Sequence, residues 1–425
     1  MASCSRCYRE YVQILKEELL PAMGCTEPIA VAYAAARARE VLGALPDRVV
    51  VEASGNIIKN VKSVVVPNTG GLKGIAAAAA AGVTVGDAAA ELQVLAAVPP
   101  ERIDEIGAYL EKAAIEVAHA DTPHIFDIAV TVCRGGESAY VRIVDFHTNI
   151  VTIRRNGETL LEKQSDGGGE ESLTERGSLS VERIVDFADN VKLEDVRELL
   201  EKQIACNMAI AEEGLRNSYG ANIGKTLLRG HENDLSYKLR AWAAAGSDAR
   251  MNGCEMPVVI NSGSGNQGIT TSVPVIVYAR ETGASEEELL RALCVANLVT
   301  IHLKTGIGRL SAYCGAVSAG AGAASGIAYL QGGRFDVIAH TIVNTVAVTS
   351  GIVCDGAKAS CAAKIAAAVD AGLLGLSMYR AGNQFYGGDG IVKKGVERTI
   401  EIVGKLASRG MVGTDKEIIR LMLED

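Results

Sequence analysis

Three cysteines occupy backbone settings that suit reactive or metal-bound sulfur. Cys25 lies in MGCTEP, Cys314 in LSAYCGAV and Cys354 in GIVCDG. Each has a glycine beside it or within two residues, and each sits where an apolar segment breaks or restarts. Backbone amides exposed at such breaks stabilise a thiolate and can donate to cluster sulfides. Thiolates suit iron–sulfur clusters and zinc. No compact pair of CxxC motifs supports a shared site, so spacing alone leaves it open against three separately buried thiols. Cys361 follows Cys354 around an Asp-Gly turn, and the run AAKIAAAVDAG after it reads as a helix. Cys354 is expected at the start of that helix and Cys361 about two turns inside it.

The remaining cysteines carry less. Cys133 falls in a strand pattern and Cys206 and Cys294 in apolar helical runs, where a thiol behaves as a small hydrophobe. Cys254 sits in a loop without further signal. Cys4 and Cys7 form a CxxC near a free end, which reads as a frayed segment.

A second stretch, NSGSGNQGI over 261–269, places small residues ahead of a helix expected from about Gln267. Successive amides there can form a nest, and a helix N-terminus favours an anion. Ser262, Ser264, Asn266 and Gln267 add polar side chains around Gly263 and Gly265, so a carboxylate or phosphate fits. A Walker loop would end in GK[ST], which is missing, and the dinucleotide pattern GxGxxG is not followed. The alternative is a flexible turn that caps a helix. In 297–315, Lys304 and Arg309 interrupt an apolar run leading to Cys314, so their charges are expected to be paired or to face a site. His302, in the same run, reads as a core or partly exposed histidine. In SGNIIKNVK, Lys59 and Asn60 follow a Gly-Asn turn, which on its own reads as a solvated hairpin.

These segments need a scaffold. The 425 residues suffice for two or three domains with a large core. Glycine and alanine abundance predicts closely packed helices joined by Gly-rich turns. The net charge of −9 argues against a nucleic-acid partner. The first residues are too charged for a secretory leader, and the longest apolar stretch, near 75–92, is broken by Asp87, so neither secretion nor a membrane span is expected. The chain reads as cytoplasmic, where ten cysteines are not a disulfide framework.

Residues 8–43 read as helix interrupted at PAMGCTEP, with Pro28 in the first turn of the restart and Thr26 as a cap. Residues 48–68 read as a hairpin, 72–119 as helical, and 125–164 as a meander of short strands. SDGGGEESLTERGS reads as a loop. From 194 onward, ten helical segments follow one another. The expected class is α+β: an N-terminal mixed helix and antiparallel-strand region, then a large all-α catalytic domain. The expected divisions are 1–45, packing on the catalytic domain, then 46–178 and 179–425.

Taken in order, MGCTEP, SGNIIKN, NSGSGNQG, IGRLSAYCG and GIVCDGAKASCAAK resemble the L-cysteine desulfidase family, which is related to the α chain of iron–sulfur L-serine dehydratases. The resemblance runs from about residue 10 to 420; the N-terminal CxxC is outside it. It implies a [4Fe–4S] cluster with one open iron, held by Cys25, Cys314 and Cys354, with Cys361 as a neighbour. It also implies conversion of L-cysteine to pyruvate, ammonia and sulfide without pyridoxal phosphate. Lys59, with Glu27 as alternate, is the expected base. Thr26, Asn60, Ser262, Gly263, Ser264, Gly265, Asn266 and Gln267 are the expected substrate contacts. A small amino acid is the expected partner, with homo-oligomerisation open. Elimination of water from L-serine and a non-catalytic cluster-binding role are the competing readings.

Overall fold

The computed structural model describes residues 5–23, 26–163, 173–308 and 311–424. Cys4, Cys25 and Arg309 lie outside the described residues, as does most of the loop expected at 165–178.

Helix α1 (Ser5–Glu18) buries Tyr11, Ile14 and Leu15, spaced as one helical face. Strand β1 (Pro21–Met23) leads to α2 (Thr26–Leu42), an alanine-rich helix buried on nearly every side. Next come β2 (Arg48–Ala53), α3 (Gly55–Val61), α4 (Gly74–Val85), α5 (Ile103–Lys112) and β3 (Ala114–His119). Strands β4 (Asp127–Arg134), β5 (Glu137–Val144), β6 (Ile150–Arg155) and β7 (Glu158–Glu162) form the expected antiparallel meander. The sheet order is β3-β2-β4-β5-β6-β7, with β2 and β3 parallel.

Two expectations fail in this half. The hairpin expected over 48–68 is a strand followed by helix α3. Ile57, Ile58 and Val61 are buried at helical spacing, and the strand finds its partners at 114–119 and 127–134. The helical reading of 72–119 also misses β3, a short edge strand in which no residue is buried.

The second half contains α6 (Val181–Asn190), α7 (Arg197–Arg216), α8 (Ile223–Leu228), α9 (Leu235–Met251), strand β8 (Pro257–Val259) and α10 (Gly265–Thr282). It continues with α11 (Glu286–Ile307), α12 (Gly315–Leu330), α13 (Phe335–Thr349), α14 (Cys361–Arg380), α15 (Val396–Lys405) and α16 (Val412–Leu423). Helix α6 has no counterpart in the sequence reading, although Ser180 accepts from the Arg183 amide as an N-cap and Val181, Ile184, Val185 and Ala188 mark its buried face. Helix α12, rich in glycine, alanine and serine, is buried throughout Ala316–Tyr329 and is surrounded by α10, α11, α13 and α14. Small side chains let the five axes approach closely. Helices α11 and α14 are long and apolar enough to cross a bilayer by length and composition, yet 78% and 50% of their apolar windows are buried within the protein.

Two hydrophobic cores result. One joins α2, α3 and α4 to the sheet; the other joins α1 to the helices from Leu179 onward. The expected 1–45 unit is therefore split, because α2 belongs to the sheet core. Several contacts tie the halves together, two of them between whole elements. Strand β1 pairs antiparallel with β8, and α16 returns from the helical half to pack on α3.

Candidate active site between the two cores

A cavity of about 500 Å³ opens where the two cores meet. One wall comes from α2 and α3 with Glu27, Lys59 and Asn60, and one from the sheet end with His124, Asp145 and His147. The helical half supplies Ser262, Gly263, Ser264, Asn266 and Gln267 together with Cys314, Cys354 and Cys361. Two expected substrate contacts are not on the wall. Thr26 sits at the start of α2 with its hydroxyl 3.5 Å from Glu27. Gly265 packs behind the loop, where an added Cβ would stand 2.3 Å from Arg250 Nε.

The cysteine arrangement follows from one backbone pairing. Tyr313 and Val353 form an antiparallel bridge, flanked by Cys314 N–H to the Ile352 carbonyl (3.1 Å) and Cys354 N–H to the Ala312 carbonyl (2.6 Å). Side chains alternate across paired strands, so Cys314 and Cys354 share the face opposite Tyr313 as a diagonal pair. Burial pushes the Cys314 thiol up to about 12, with Cys354 adding to the rise and the Ala316 amide opposing it.

Helix α14 begins at Cys361, which corrects the expected positions. Cys354 lies in the turn before the helix, and Cys361 occupies its first residue. The turn is fastened by Asp355, which receives both Lys358 and Lys364; burial opposes its charge and the two ammonium groups outweigh burial, holding its carboxyl low. Gly356 has φ +92° and rests on α3, where Ala357 N–H donates to the Lys59 carbonyl at 3.3 Å. The Cys361 thiol donates to the Gly356 carbonyl at 3.5 Å, and burial raises its pKa.

The 261–268 stretch forms a tight turn. Asn261 and Ser264 exchange both backbone hydrogen bonds at 3.1 Å, with Ser262 and Gly263 at φ +50° and +76°. Two consecutive positive φ values are the signature of a type I′ turn. Ser264 then caps α10, its hydroxyl accepting from the Gln267 amide at 3.4 Å. The helix starts two residues before the expected point. Asn266 Oδ1 and Gln267 Oε1 are buried acceptors without a partner among the described residues. Gln267 lies over Gly315, where a Cβ would come within 2.6 Å of its amide carbon, so this loop touches the cysteine segment.

On the α3 wall, Lys59 is 4% exposed and its Nζ lies 2.5 Å from Asp415 on α16. The amine expected as a base is thus engaged by a carboxylate 356 residues away in sequence. Glu27 is 3.5 Å from the Asn60 amide. Lys304 is buried and Arg250 lines the same cavity.

Sequence reasoning missed the sheet-end group. Asp145 N–H donates to the Phe126 carbonyl at 2.9 Å, which brings the β5–β6 connection beside the segment before β4. His124 Nδ1 lies 3.0 Å from Asp145 Oδ1. His147 packs on Phe126, and burial lowers its pKa against an opposing pull from Glu27. The usable signal was VDFHTN, a polar connection with both Asp and His between two strands.

Residues 89–420 match the family model described as serine dehydratase alpha chain. The chain belongs to that family. Membership in the serine dehydratase alpha chain family makes this a lyase-type enzyme in coarse class, and the match takes in the anion loop, Cys314, Cys354 and both cavity histidines. The chain is also similar over nearly its whole length to proteins named UPF0597. It is 59% identical to one from Desulfitobacterium hafniense strain Y51, covering 98% of this chain and 97% of that protein. It is 49% identical to one from Treponema denticola, at 98% of each chain, and 50% identical to one from Lachnoclostridium phytofermentans, covering 98% of this chain and all of that one.

Among the described residues, no three His, Cys, Asp or Glu side chains are already gathered as a metal-binding group. Two of the three expected ligands, Cys314 and Cys354, nevertheless share one face and one cavity wall. The cavity is also roomier than a three-carbon amino acid needs. A thiolate-held cluster fits that pair and that space, with Cys25 outside the described residues.

Proposed function

We propose that this protein is an L-cysteine desulfidase that eliminates sulfide from L-cysteine, giving pyruvate and ammonia. The observation that carries the reading is the contact between the two halves of the site: the Cys314 and Cys354 face, and Gln267 of the anion loop seated on Gly315. The Gln267 and Gly268 amides are taken by the Ser264 hydroxyl and carbonyl, so the Gly265 and Asn266 amides at the start of α10 would bind the substrate carboxylate. Asn266 Oδ1 and Gln267 Oε1, both buried acceptors, would receive the substrate ammonium group. Cys25, Cys314 and Cys354 would hold a [4Fe–4S] cluster, whose open iron supplies a Lewis acid matched to sulfur. No pyridoxal phosphate is required.

Lys59, held by Asp415, would orient the substrate through its charge, and Glu27 with Asn60 would border the reacting carbons. Elimination yields aminoacrylate, which tautomerises to an imine and takes up water to give pyruvate and ammonia. The family match favours one second reading, elimination of water from L-serine at the same site. The deciding experiment uses anaerobically purified protein. Iron and acid-labile sulfide are counted, and kcat/KM is compared for L-cysteine and L-serine. A larger value for L-cysteine with sulfide release supports the proposal. A larger value for L-serine installs the second reading, and a full cluster without turnover of either overturns both.

A further inference from the structure

We infer that His124 is the general base that removes the substrate's α-proton, and that Asp145 positions it; this rests on the proposed elimination. The inference begins with the orientation of the ring. Asp145 Oδ1 lies 3.0 Å from Nδ1, and a carboxylate can only accept, so in the neutral ring it selects the tautomer with the hydrogen on Nδ1 and the lone pair on Nε2. Both residues line the cavity, and their side chains are 24% and 19% exposed. The pair is partly shielded yet open to a substrate.

The scaffold around this pair is specific. Asp145 adopts φ +66°, a left-handed conformation uncommon outside glycine and concentrated at functional sites. His124 N–H donates to the Thr122 hydroxyl at 3.2 Å, and that hydroxyl donates to Asp127 Oδ2 at 2.7 Å. Asp127 is 2% exposed and takes both of its Arg142 contacts, at 3.0 and 2.6 Å, through separate oxygens. A bidentate ion pair on a buried carboxylate thus fixes the segment that carries the imidazole. The amine on the α3 wall, Lys59, is occupied by Asp415.

In the step, the Cα–H bond breaks and its proton passes to His124 Nε2. The freed electron pair forms Cα=Cβ, the Cβ–S bond breaks, and sulfur leaves with that bond's electrons. The imidazolium returns its proton during tautomerisation of aminoacrylate. No further co-reactant is needed before water enters.

The test uses the full-length, cluster-loaded protein. His124→Ala is expected to lower kcat by about 10²–10⁴-fold, the range for loss of a general base, with KM within about threefold and iron content and cluster spectrum unchanged. Added imidazole should restore a measurable part of the rate, which a merely structural role would not allow. Asp145→Asn should lower kcat with KM unchanged, and Asp145→Glu should recover part of it. A His124→Ala enzyme within threefold of wild type, one that loses its iron, or one that imidazole does not rescue would overturn the assignment. Exchange of the α-proton of L-cysteine with deuterated solvent, followed by NMR, separates the two ideas. Wild type that exchanges without releasing sulfide, with exchange lost in His124→Ala, refutes the elimination and upholds the base. Wild type that releases sulfide while His124→Ala is unimpaired refutes the base alone. Neither exchange nor release in wild type overturns both.

Discussion

Replacing Gly356 by alanine tests whether the turn between the two cavity cysteines is set by its contact with α3. At φ +92° an L side chain is strained, at a cost of about 1–3 kcal/mol. The new Cβ would stand 1.9 Å from the Lys59 carbonyl oxygen, whereas real Cβ atoms keep at least 3.0 Å, so the turn must retreat by 1.1 Å or more. That retreat breaks the Ala357 N–H to Lys59 carbonyl bond, worth about 0.5–1.5 kcal/mol net. Gly356→Ala is therefore expected to destabilise the protein by about 2–4 kcal/mol. It should also displace Cys354 from Cys314, lowering iron content and sulfide release together. Gly351→Ala is the matched control, because it lies in the same connection with nothing within 4 Å of its added Cβ. Denaturant unfolding, iron per chain and anaerobic turnover are measured on both. A Gly356→Ala protein within 1 kcal/mol of the control, with full iron and activity, would refute the reasoning.

Ser264→Ala removes the α10 cap and should cost about 0.5–2 kcal/mol of stability. It should also lower kcat/KM by about tenfold to a hundredfold, as expected for loss of a polar group at a charged substrate, with the cluster spectrum unchanged; full activity would reduce the loop to a helix cap. Cys354→Ser is expected to abolish iron binding while Cys361→Ser retains it, and the reverse pattern, read by iron analysis, would exchange their roles. Burial pushes the Asp248 carboxyl up to about 6, against the opposing Gly224 amide, so the folded protein keeps a proton that the unfolded chain releases near pH 4. The stability tied to that proton is present in full below pH 4 and is lost as pH rises through about 6. Asp248→Asn should flatten this part of the stability profile between pH 4 and 7, and an unchanged profile would contradict the burial argument.

Local signals revealed what local forces decide. The meander from 127 to 162 is marked by turns and alternation, and α12 by an unbroken small-residue run. The turn at 261–264 and the helix after it were readable because Gly, Asn and Ser serve positive φ and capping directly. Cys314 and Cys354 stood out through their glycine-rich breaks, and both reach the cavity. The partner of β2 was not readable, since β3 lies about sixty residues on and pairing of that kind leaves no local trace. Cys361 was placed too deep in its helix because Lys358 and Lys364 fasten the preceding turn through Asp355, delaying the helix start. The VDFHTN connection around Asp145 carried a local signal, but its pairing with His124, like that of Lys59 with Asp415, is created by tertiary placement and leaves no trace in either segment.

The return of α16 to α3 has a consequence for how the protein is made. Lys59 and its carboxylate partner are separated by 356 residues. At ribosomal speeds of roughly 5–20 residues per second, the chain spends on the order of tens of seconds with that lysine synthesised and its counter-ion still missing. The sheet core can collapse during this interval, but the cavity wall it contributes stays unfinished until residues 412–423 emerge. A ligand that needs both walls would therefore meet an incomplete cavity on the nascent chain for as long as α16 has yet to reach α3.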